Sequence, residues 1–432
     1  MLESILEKFR RLIPGPVFRA AQKPYHWLMA WSGAVRYGFP SRQIKVIGVT
    51  GTKGKSSTTE IINAILEEAG YRTALSNTIR FKIADHSTPN LFKMSMPGRF
   101  TMQRLLREAV TAGCQYFVAE ITSQGSLLFR HRFIELDTLV FTNLSPEHIE
   151  AHGSYENYVQ AKVNIARNMS RSSKPVKTII VNADDPEASK FLACTAHKHI
   201  TYSARDASPY EIKDVGLTLT LDGQKVQSPL SGLFNLYNIV AAVTAARNEG
   251  VTIEQIKSAI ERFGDIPGRV EKIEAGQDFT VVVDYAHTPD SLEKLYRVFR
   301  PDPGAPSRTT KLIAILGGTG GGRDTWKRRE MGRLADQYAD IICLTDEDPY
   351  DENPDKIVAD VATGITVHKP QIVMDRRLAM REMFKLAKAG DIVLITGKGT
   401  DPYIMGPHGK KTPWSDAAIA REELLELLKD RA

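Results

Sequence analysis

One short stretch, residues 46–59, does most to limit the folds open to this chain. It reads VIGVTGTKGKSSTT and runs into a helical pattern over 60–66. An apolar strand that turns through glycines into a helix binds phosphate, because backbone N–H groups close around the oxygens and the helix N-terminus adds positive potential. The general pattern has glycine where this chain has Val49, and the alternative is an ordinary turn before a helix. We predict a phosphate-binding loop formed by Gly51, Thr52, Lys53, Gly54, Lys55, Ser56 and Ser57.

The order of the predicted elements indicates an α/β fold. Short apolar runs alternate with helical patterns, as in a mainly parallel sheet with helices on both faces. The predicted strands are 44–50, 116–121, 138–142 and 178–182, then 279–284, 311–316, 341–345 and 392–396. Between the two groups, an alternating segment that ends in Asp222-Gly223 predicts an antiparallel hairpin. We predict a short helical N-terminal extension (1–43), a central P-loop domain with a mainly parallel sheet (44–265) and a C-terminal Rossmann-like α/β domain (266–432).

Composition limits the class of partner. The 432 residues include 57 Lys or Arg and 51 Asp or Glu, which gives a net charge of +6 with no dense basic block. This charge suits small molecules that bear phosphate or carboxylate groups, and it argues against nucleic acid. Cys114, Cys194 and Cys343 are far apart, which argues against a zinc ribbon or a disulfide framework and favours a cytoplasmic protein.

Residues 1–40 have a pattern of their own. Near the start, basic residues flank apolar residues at helical spacing: Leu2, Ile5, Leu6 and Phe9. A second segment carries Trp27, Leu28, Trp31, Val35 and Tyr37. One interpretation is peripheral contact with a membrane surface. We favour a helix packed on the next domain, since aromatic residues at helical spacing are typical of a core.

Polar residues follow several predicted strands, where parallel sheets place their ligands. Glu120 ends one strand and is expected beside the glycine-rich loop, where a carboxylate could hold Mg²⁺. A lone Glu at a strand end is otherwise solvated. His148 follows the next strand in the string NLSPEHIEAHG. Asn235 and Asn238 could bind adenine, although Asn-x-x-Asn is also typical of a helix cap.

Together these strings resemble the Mur ligase family, within the group that includes folylpolyglutamate synthetases. The resemblance runs from about Gly38 to the C-terminus and rests on GTKGK at 51–55, TNLS at 142–145, DYAHTP at 284–289 and GKG at 397–399. The chain is most similar to the MurE-like UDP-N-acetylmuramoyl-tripeptide synthetases. The resemblance implies an ATP-dependent ligase of peptidoglycan precursor synthesis, which joins an amino acid to a muramyl-peptide carboxylate through an acyl phosphate.

The resemblance also assigns roles around the loop. It implies that Lys55 binds the ATP phosphates and that Ser56 and Glu120 hold one magnesium ion. His148 would hold a second magnesium ion, and Lys162 matches the lysine that the family carbamylates into a metal ligand. Without the family match, Lys162 reads as a solvated helix lysine.

Other implied nucleotide contacts come from later in the chain. Asn235 and Asn238 would contact adenine, and Arg269 and Asp284 would contact the ribose and neighbouring groups. The residues expected to close the second domain over the nucleotide are His287, Arg323 and Lys327. The implied catalytic set is Lys55, Glu120, His148, Lys162 and His287.

Three departures from the family pattern bear on the substrate. Only a 40-residue extension stands where these synthetases carry a domain that grips the UDP-sugar. The string KMSMP at 93–97 replaces Thr-Thr-Pro, and Gln124 replaces a histidine. Tyr350 replaces the arginine of diaminopimelate-adding members, which argues against diaminopimelate as the added amino acid. The acidic loop around Tyr350 could suit a basic side chain such as lysine, or it could be a solvated face. The predicted substrate contacts are Ser95, Arg99, Ser123, Asp346, Asp348, Tyr350, Gly397 and Lys398.

Two alternatives stay open. The acceptor could lack UDP and be a lipid-linked muramyl peptide, a polyglutamate or a pseudopeptidoglycan peptide. In a different class, the chain would be a non-catalytic nucleotide-binding partner, which the presence of Lys55, Glu120, His148 and Lys162 argues against. We expect a monomer that binds small molecules.

Overall fold

A computed structural model describes residues 15–147, 149–213, 216–300, 310–322 and 325–431. The chain forms two compact units. Unit 1 comprises Met1–Glu147, Ser154–Ser203 and Ala241–Thr252, and unit 2 comprises His148–Gly153, Ala204–Val240 and Ile253–Ala432. Within the described ranges, no helix combines the length and the apolar character needed to cross a membrane.

Unit 1 is built on a mainly parallel sheet. Its strands are β1 (Lys45–Thr50), β2 (Thr73–Ser76), β3 (Arg80–Ile83), β4 (His86–Pro89), β5 (Tyr116–Glu120), β6 (Thr138–Phe141), β7 (Thr178–Asn182) and β8 (Lys198–Tyr202). The strand order is β4-β3-β2-β5-β1-β6-β7-β8, in which the pairs β2–β3 and β3–β4 are antiparallel and the other pairs are parallel. The four predicted strands are confirmed to within a residue or two. β2, β3, β4 and β8 were missed, because short strands leave little periodicity to detect.

Helices precede and connect the strands of unit 1. They are α1 (Gly15–Arg36), α2 (Lys55–Glu68), α3 (Arg99–Thr111), α4 (Ser123–Leu127), α5 (Ile149–His152), α6 (Tyr155–Met169) and α7 (Ala188–Leu192), of which α5 is grouped with unit 2. The Ser154 hydroxyl accepts from the Asn157 N–H at 3.1 Å and so caps the start of α6. A capping hydroxyl satisfies one of the amide donors that a helix leaves unpaired at its first turn.

Helix α1 packs on α3 through its small residues. Ala30 and Ala34 are buried, and Gly33 lies against Phe100. The Arg107 guanidinium of α3 donates to the Tyr37 carbonyl from Nε at 2.9 Å. The predicted packing of this helix on the next part of the chain is therefore confirmed. The aromatic residues contribute less than expected, because Trp27 packs edge-on against Phe133 with ring centres 5.6 Å apart, while much of the Trp27 and Trp31 surface is exposed.

Unit 2 contains a small antiparallel sheet. Its strands are β9 (Glu211–Ile212), β10 (Leu217–Leu221) and β11 (Gln224–Ser228), in the order β11-β10-β9. Asp222 and Gly223 join β10 to β11 with φ of 49° and 78°. Positive φ at both central residues is the geometry of the hairpin turn that Asp-Gly favours. The predicted hairpin is confirmed.

The larger sheet of unit 2 is again mainly parallel. Its strands are β12 (Glu271–Lys272), β13 (Thr280–Asp284), β14 (Leu312–Leu316), β15 (Ile341–Leu344), β16 (Gln371–Ile372) and β17 (Ile392–Thr396), in the order β12-β13-β17-β14-β15-β16. Alternate residues enter two separate cores: Ala314 and Leu316 lie in one, and Ile313 and Ile315 lie in the other. Both faces are therefore covered, as the continuous apolar runs predict.

The helices that follow the small sheet are α8 (Leu233–Asn248), α9 (Ile253–Glu261), α10 (Pro289–Phe299), α11 (Trp326–Tyr338), α12 (Pro354–Ala362), α13 (Arg376–Leu386) and α14 (Asp416–Arg431), of which α8 is divided between the two units after Val240. Helices α10, α11 and α12 contribute to one of the two cores, and α13 and α14 contribute to the other. A further hairpin joins β18 (Tyr403–Met405) to β19 (Lys411–Pro413). The α/β class with a short N-terminal helix, a P-loop unit and a Rossmann-like unit is confirmed.

Candidate active site

The glycine-rich loop joins β1 to α2 as the sequence predicts. A side chain on Gly51 would collide with the Thr142 hydroxyl, and Gly54 takes φ of 82° directly before the helix. Glycine is therefore required at both positions. The Thr52 N–H donates to the Asn143 carbonyl at 2.7 Å, and the Lys53 N–H donates to the Asn143 side chain at 2.9 Å. The loop is thus fixed by the segment that follows β6.

The loop meets Glu120 because β1 and β5 are parallel neighbours whose carboxyl ends lie at the same edge of the sheet. The Ser56 hydroxyl donates to Glu120 Oε2 at 3.0 Å, and Lys55 Nζ lies 3.8 Å from Glu120 Oε1. Lys55 Nζ also donates to the Thr52 carbonyl at 2.8 Å. Glu120 is almost fully buried, so the interpretation as a solvated strand-end carboxylate is wrong.

Two other loop residues have partners nearby. Lys53 forms an ion pair with Glu147 at 2.9 Å, and the Thr52 hydroxyl lies 2.9 Å from the Tyr158 hydroxyl. Ser57 is buried in the first turn of α2. The loop therefore carries two ammonium groups beside two carboxylates at one sheet edge.

Lys162 reaches this loop from α6. The side chain is almost fully buried, and its Nζ donates to the Gly51 carbonyl at 2.6 Å. It also lies 4.9 Å from the centre of the Tyr158 ring. Burial, reinforced by the charge of Lys55, holds the pKa of Lys162 well below its ordinary value of 10.5. The interpretation as a solvated helix lysine is wrong, because the side chain is buried and its surroundings disfavour the charged form of the amine.

A second polar group lies beyond Glu120. Thr78 donates to Glu120 Oε2 through its N–H at 2.9 Å, and its hydroxyl lies 2.6 Å from the Ser95 hydroxyl. The structure thus brings Ser95 to the same carboxylate as Ser56, through a threonine that the sequence did not single out. Ser123 is buried at the start of α4, next to the capping residue Thr122.

Arg99 lies among other basic groups. Its guanidinium donates to the Leu128 carbonyl from Nε at 2.9 Å and contacts His26 Nδ1 at 2.6 Å. Arg130, which the sequence reasoning missed, donates to the Met96 carbonyl at 2.7 Å. Burial and then the neighbouring cations lower the pKa of His26, and burial followed by Arg130 lowers the pKa of Arg99. No ion pair with a carboxylate joins Arg99 or Arg130 within the described residues, so this region suits an anion.

The candidate adenine contacts lie in unit 2. Asn235 and Asn238 are buried near the start of α8. The Asn235 amide donates to the Ser231 carbonyl at 2.8 Å, and the Asn238 amide donates to Asn235 Oδ1 at 3.1 Å. The two asparagines are therefore brought together.

The DYAHTP segment is organised by Asp284. Its carboxylate accepts from the Val270 N–H at 2.8 Å and the Ala286 N–H at 2.7 Å. The Arg269 guanidinium lies 4.4 Å from the centre of the Tyr285 ring, and His287 Nδ1 lies 2.7 Å from the Tyr285 carbonyl oxygen. Asp284, Arg269 and His287 thus lie around one turn at the end of β13.

Lys327 is buried in the first turn of α11. Two other candidates, His148 and Arg323, lie outside the described residues. In the described ranges, no three His, Cys, Asp or Glu side chains form a group that could hold a metal ion. The Ser56 hydroxyl and the Glu120 carboxylate are nevertheless hard oxygen donors, which fit Mg²⁺, and that ion needs few protein ligands.

The charge of the acidic loop after β15 is partly neutralised by Lys398, which follows β17. Lys398 is fully buried, and its Nζ contacts Asp348 at 2.9 Å, Asp401 at 3.3 Å and the Tyr403 carbonyl at 2.6 Å. Asp348 and Lys398 are therefore partners of each other. The interpretation of the whole loop as a solvated face does not hold, because Asp348 and its neighbour Glu347 are buried.

Three further substrate candidates surround this pair. Asp346 accepts from the Glu347 N–H at 2.8 Å, and burial raises its pKa. Tyr350 has φ of 52°, and its N–H donates to the Met405 carbonyl at 2.9 Å. A side chain on Gly397 would collide with the Glu347 carboxylate. The long sequence separation of these residues hides such contacts from local patterns.

A P-loop unit followed by a second, Rossmann-like α/β unit, with basic and acidic side chains at the strand ends, defines a class of nucleotide-dependent ligases. The chain belongs to the Mur ligase family: the Mur ligase middle domain matches residues 49–246, and the Mur ligase, glutamate ligase domain matches residues 268–399.

Individual relatives agree with this. The chain is 37% identical over 420 residues to a UDP-N-acetylmuramyl-tripeptide synthetase of Roseiflexus sp., a match that covers 91% of this chain and 81% of the relative. It is also 37% identical over 400 residues to a UDP-N-acetylmuramoyl-L-alanyl-D-glutamate–2,6-diaminopimelate ligase of Gloeobacter violaceus, which covers 90% and 78%. The predicted family is confirmed.

Solved structures share the fold. A UDP-N-acetylmuramoyl-L-alanyl-D-glutamate–2,6-diaminopimelate ligase has a TM-score of 0.59 at 28% identity and covers 89% of this chain and 79% of that one. The folylpolyglutamate synthase of Mycobacterium tuberculosis, complexed with ADP, has a TM-score of 0.68 at 16% identity and covers 87% and 92%, which shows the fold alone. The relatives named as tripeptide synthetases and diaminopimelate ligases are ATP-dependent ligases that form amide bonds in peptidoglycan precursor synthesis.

Proposed function

We propose that this chain joins an amino acid to the carboxylate of a muramyl peptide, with hydrolysis of ATP to ADP and phosphate. The observation that carries the proposal is the contact of the loop residues Lys55 and Ser56 with Glu120, and of Gly51 with the buried amine of Lys162. These groups are what phosphoryl transfer needs, since catalysis there is mostly positioning and neutralisation of charge.

The chemistry proceeds in two displacements. An acceptor carboxylate oxygen attacks the γ-phosphorus of ATP, the bond to the β-phosphate oxygen breaks, and ADP leaves an acyl phosphate. The amino-acid amine then attacks the acyl carbon, phosphate departs, and the amine loses a proton as the amide forms. Lys55 would neutralise the transferred phosphoryl group, and water has to be kept from the acyl phosphate because it would hydrolyse that intermediate.

Magnesium is the cofactor that this arrangement supports. We infer that Ser56 and Glu120 hold one ion and that His148 and carbamylated Lys162 hold a second. When bound, the ions would neutralise phosphate charge. An uncharged lysine amine can attack CO₂ and release a proton to give a carbamate, so the lowered pKa of Lys162 supports this modification.

The acceptor would be recognised next to Glu120. Ser95 is joined to that carboxylate through Thr78, and Arg99 and Arg130 supply positive charge without an acidic partner in the described residues. With the buried Ser123, these residues suit a peptide that carries carboxylates. A muramyl peptide with UDP is the first candidate, and a lipid-linked muramyl peptide is the alternative that the exposed α1 supports. Polyglutamate and pseudopeptidoglycan peptides remain further candidates.

Unit 2 would supply the remaining contacts. We infer that Asn235 and Asn238 bind adenine, that Arg269 and Asp284 bind the ribose, and that His287, Arg323 and Lys327 help to bind the phosphates. The amino acid would be held by Asp346, Asp348, Tyr350, Gly397 and Lys398. Tyr350 supports a substrate without a distal carboxylate, such as lysine, because a tyrosine offers that group no cation.

We also propose domain boundaries at 43/44 and 265/266 and a monomeric state. A peripheral membrane contact of residues 1–40 is a further proposal. Size-exclusion chromatography with light scattering tests the monomer, and limited proteolysis tests the boundaries.

The central experiment measures ADP formation with purified protein, ATP, Mg²⁺, UDP-muramyl-dipeptide and each amino acid in turn. We expect one amino acid, with lysine first, to stimulate ADP formation. Lys55→Ala should lower kcat/KM by about 10²–10³-fold, because one preorganised cation at the transferred group is lost. The exposed Lys198→Ala is the matched control. Unchanged amino-acid-dependent turnover in Lys55→Ala would leave the non-catalytic alternative.

A further inference from the structure

Helix α1 presents a row of large apolar side chains to solvent. This aromatic face consists of Tyr25, Trp27, Leu28, Trp31 and Val35, which are 53%, 45%, 53%, 41% and 47% exposed. The rings of Trp27 and Trp31 stack with their centres 6.5 Å apart and their planes 4° from parallel. A contiguous apolar patch of this kind marks an interaction surface, since its exposure to water is unfavourable.

The aromatic face is held in place by the rest of unit 1. The opposite side of α1 packs on α3 through Ala30, Gly33 and Ala34. Phe100 of α3 lies against Gly33 on this packed side. The helix is therefore docked mainly through small residues and one edge-on contact of Trp27 with Phe133, and the remaining surface of its large side chains is exposed.

Charge decides which partner this surface fits. Residues 1–36 carry six Lys or Arg and two Glu, a net charge of +4, and no Asp or Glu occurs between Glu7 and Glu60. Lys23 and Arg36 are exposed on either side of the aromatic face. A second copy of the chain would bring like charge against like charge, which disfavours a dimer through this face.

We propose that the aromatic face binds the surface of an anionic phospholipid membrane, with α1 lying in the interface. Trp and Tyr are enriched at the boundary between headgroups and acyl chains, where one part of the ring is apolar and another is polar. Basic residues beside such a face add attraction to anionic headgroups. The inference goes beyond ligase activity, because a ligase with water-borne substrates needs no lipid surface.

The position of α1 gives this binding a consequence for the ligase. His26 of α1 contacts Arg99, the first residue of α3, and Arg99 donates to the Leu128 carbonyl at the end of the Ser123 segment. The membrane-binding helix therefore touches the group of residues proposed to receive the acceptor. Lipid binding would bring that side of unit 1 to the membrane surface.

The first test uses the full chain and vesicles. Vesicles of equal phosphatidylglycerol and phosphatidylcholine should carry the protein upward in a density gradient, and vesicles of phosphatidylcholine alone should not. About 1 M salt should reverse the binding, because it screens the charges. Failure to float with the anionic vesicles overturns the proposal.

A second test locates the contact. The chain has four tryptophans, and Trp326 and Trp414 lie in unit 2. Brominated phospholipid should quench part of the fluorescence of the intact protein. In Trp27→Phe/Trp31→Phe, that quenching should disappear while flotation persists, since phenylalanine keeps the face apolar. Quenching that persists in this variant overturns the assignment to α1.

Substitutions that remove the surface complete the test. Trp27→Ser/Trp31→Ser should lower vesicle affinity at least tenfold, and Lys23→Glu should lower it about fivefold or more, the change expected per basic residue at an anionic surface. Val367→Ser/Ile372→Ser, at exposed apolar positions of unit 2, is the matched control and should bind normally. Circular dichroism and ATP hydrolysis check that each variant is folded. Equal loss in the control, or a protein dimer that only the serine variant at 27 and 31 abolishes, overturns the proposal.

Discussion

Two buried lysines, one in each unit, have opposite surroundings. Lys162 in unit 1 meets a backbone carbonyl and a tyrosine ring, and no ion pair links it to a carboxylate of the described residues. Lys398 in unit 2 meets the carboxylates of Asp348 and Asp401 and one carbonyl. Both side chains are removed from water, so their partners alone decide what each amine can do.

The difference distinguishes the reactive role proposed for Lys162 from a structural role of Lys398, whose ion pairs would also shape the proposed amino-acid site. Burial and then the charge of Lys55 lower the pKa of Lys162, against the opposite influence of Glu147 and Glu120, and this direction supports the proposed reaction with CO₂. Two carboxylates around Lys398 neutralise its charge and tie the GKG turn to the acidic loop. Burial of a lysine is therefore not by itself a sign of catalysis. The predictions below test this contrast, from the largest expected effect to the smallest.

Loss of the structural lysine should cost the most stability. Lys398→Met leaves Asp348 and Asp401 buried without their cation, and we expect the free energy of unfolding to fall by about 3–5 kcal/mol. Urea denaturation followed by circular dichroism measures the change. The double variant Lys398→Met/Asp348→Asn should recover part of the loss. A change below about 1 kcal/mol would mean that the ion pair is not structural.

Loss of the reactive lysine should affect turnover. In Lys162→Ala we expect kcat for amino-acid-dependent ADP formation to fall by about 10²–10³-fold, as for removal of one preorganised electrostatic group. Acetate should partly restore kcat, since it can supply the carboxylate that a carbamate would provide. Lys55→Ala is the matched control and should not respond to acetate, because it lacks a cation. A variant that keeps normal turnover would contradict the role of Lys162.

The pH dependence of the free energy of unfolding should show whether the amine of Lys162 has a lowered pKa in the folded chain. The pKa of Lys162 is lowered in the folded chain, so the unfolded chain binds a proton that the folded chain gives up. The free energy of unfolding is therefore reduced by the full amount at a pH below the folded pKa of Lys162. The reduction becomes smaller as the pH rises toward 10.5, and it is absent above 10.5. Lys162→Met lacks this reduction.

In CO₂-free buffer, the stability advantage of Lys162→Met over the natural chain should therefore shrink by about 1.4 kcal/mol per pH unit within that window. Unfolding in urea at several pH values between 7 and 10.5 measures the difference. The exposed Lys198→Met serves as the control, with no such trend expected. A constant difference would show that Lys162 is protonated in the folded protein.

The smallest effect should come from the tyrosine beneath Lys162. Tyr158→Phe removes the hydroxyl that lies 2.9 Å from the Thr52 hydroxyl but keeps the ring below the amine. We expect the free energy of unfolding to fall by about 1 kcal/mol, the usual net value of one hydrogen bond. Urea denaturation measures this change. If Tyr158→Phe lowered kcat more than Lys162→Ala does, the hydroxyl of Tyr158 would matter more for turnover than the amine of Lys162, contrary to this prediction.

The sequence predicted those features that follow from local pattern. The contact of Ser56 with Glu120 was predictable, because parallel strands end at the same edge and each residue follows a strand. The hairpin at Asp222-Gly223 follows from turn chemistry alone. Lys162 was identified only through family resemblance, since a lysine on a helix carries no sign of burial. The partnership of Lys398 with Asp348, fifty residues away, depends on tertiary structure.

The exposed aromatic face of α1 was mispredicted for a related reason. Periodicity shows which residues share a face of a helix, but it does not show which face is covered. In α1 the small residues are buried, while Trp27 and Trp31 keep 45% and 41% of their surface exposed, although Trp27 also contacts Phe133.

The two edge strands of the sheet in unit 1, β4 and β8, bear on whether the protein aggregates at high concentration. β4 lies at one margin, its four residues are exposed, and it ends in Pro89, which has no N–H to offer. At the other margin, β8 exposes Lys198 and His199. A strand of another molecule that paired with β4 would lack the N–H donor of Pro89, and one that paired with β8 would meet the charged Lys198. The sheet thus resists growth from molecule to molecule, which is the first step toward fibres.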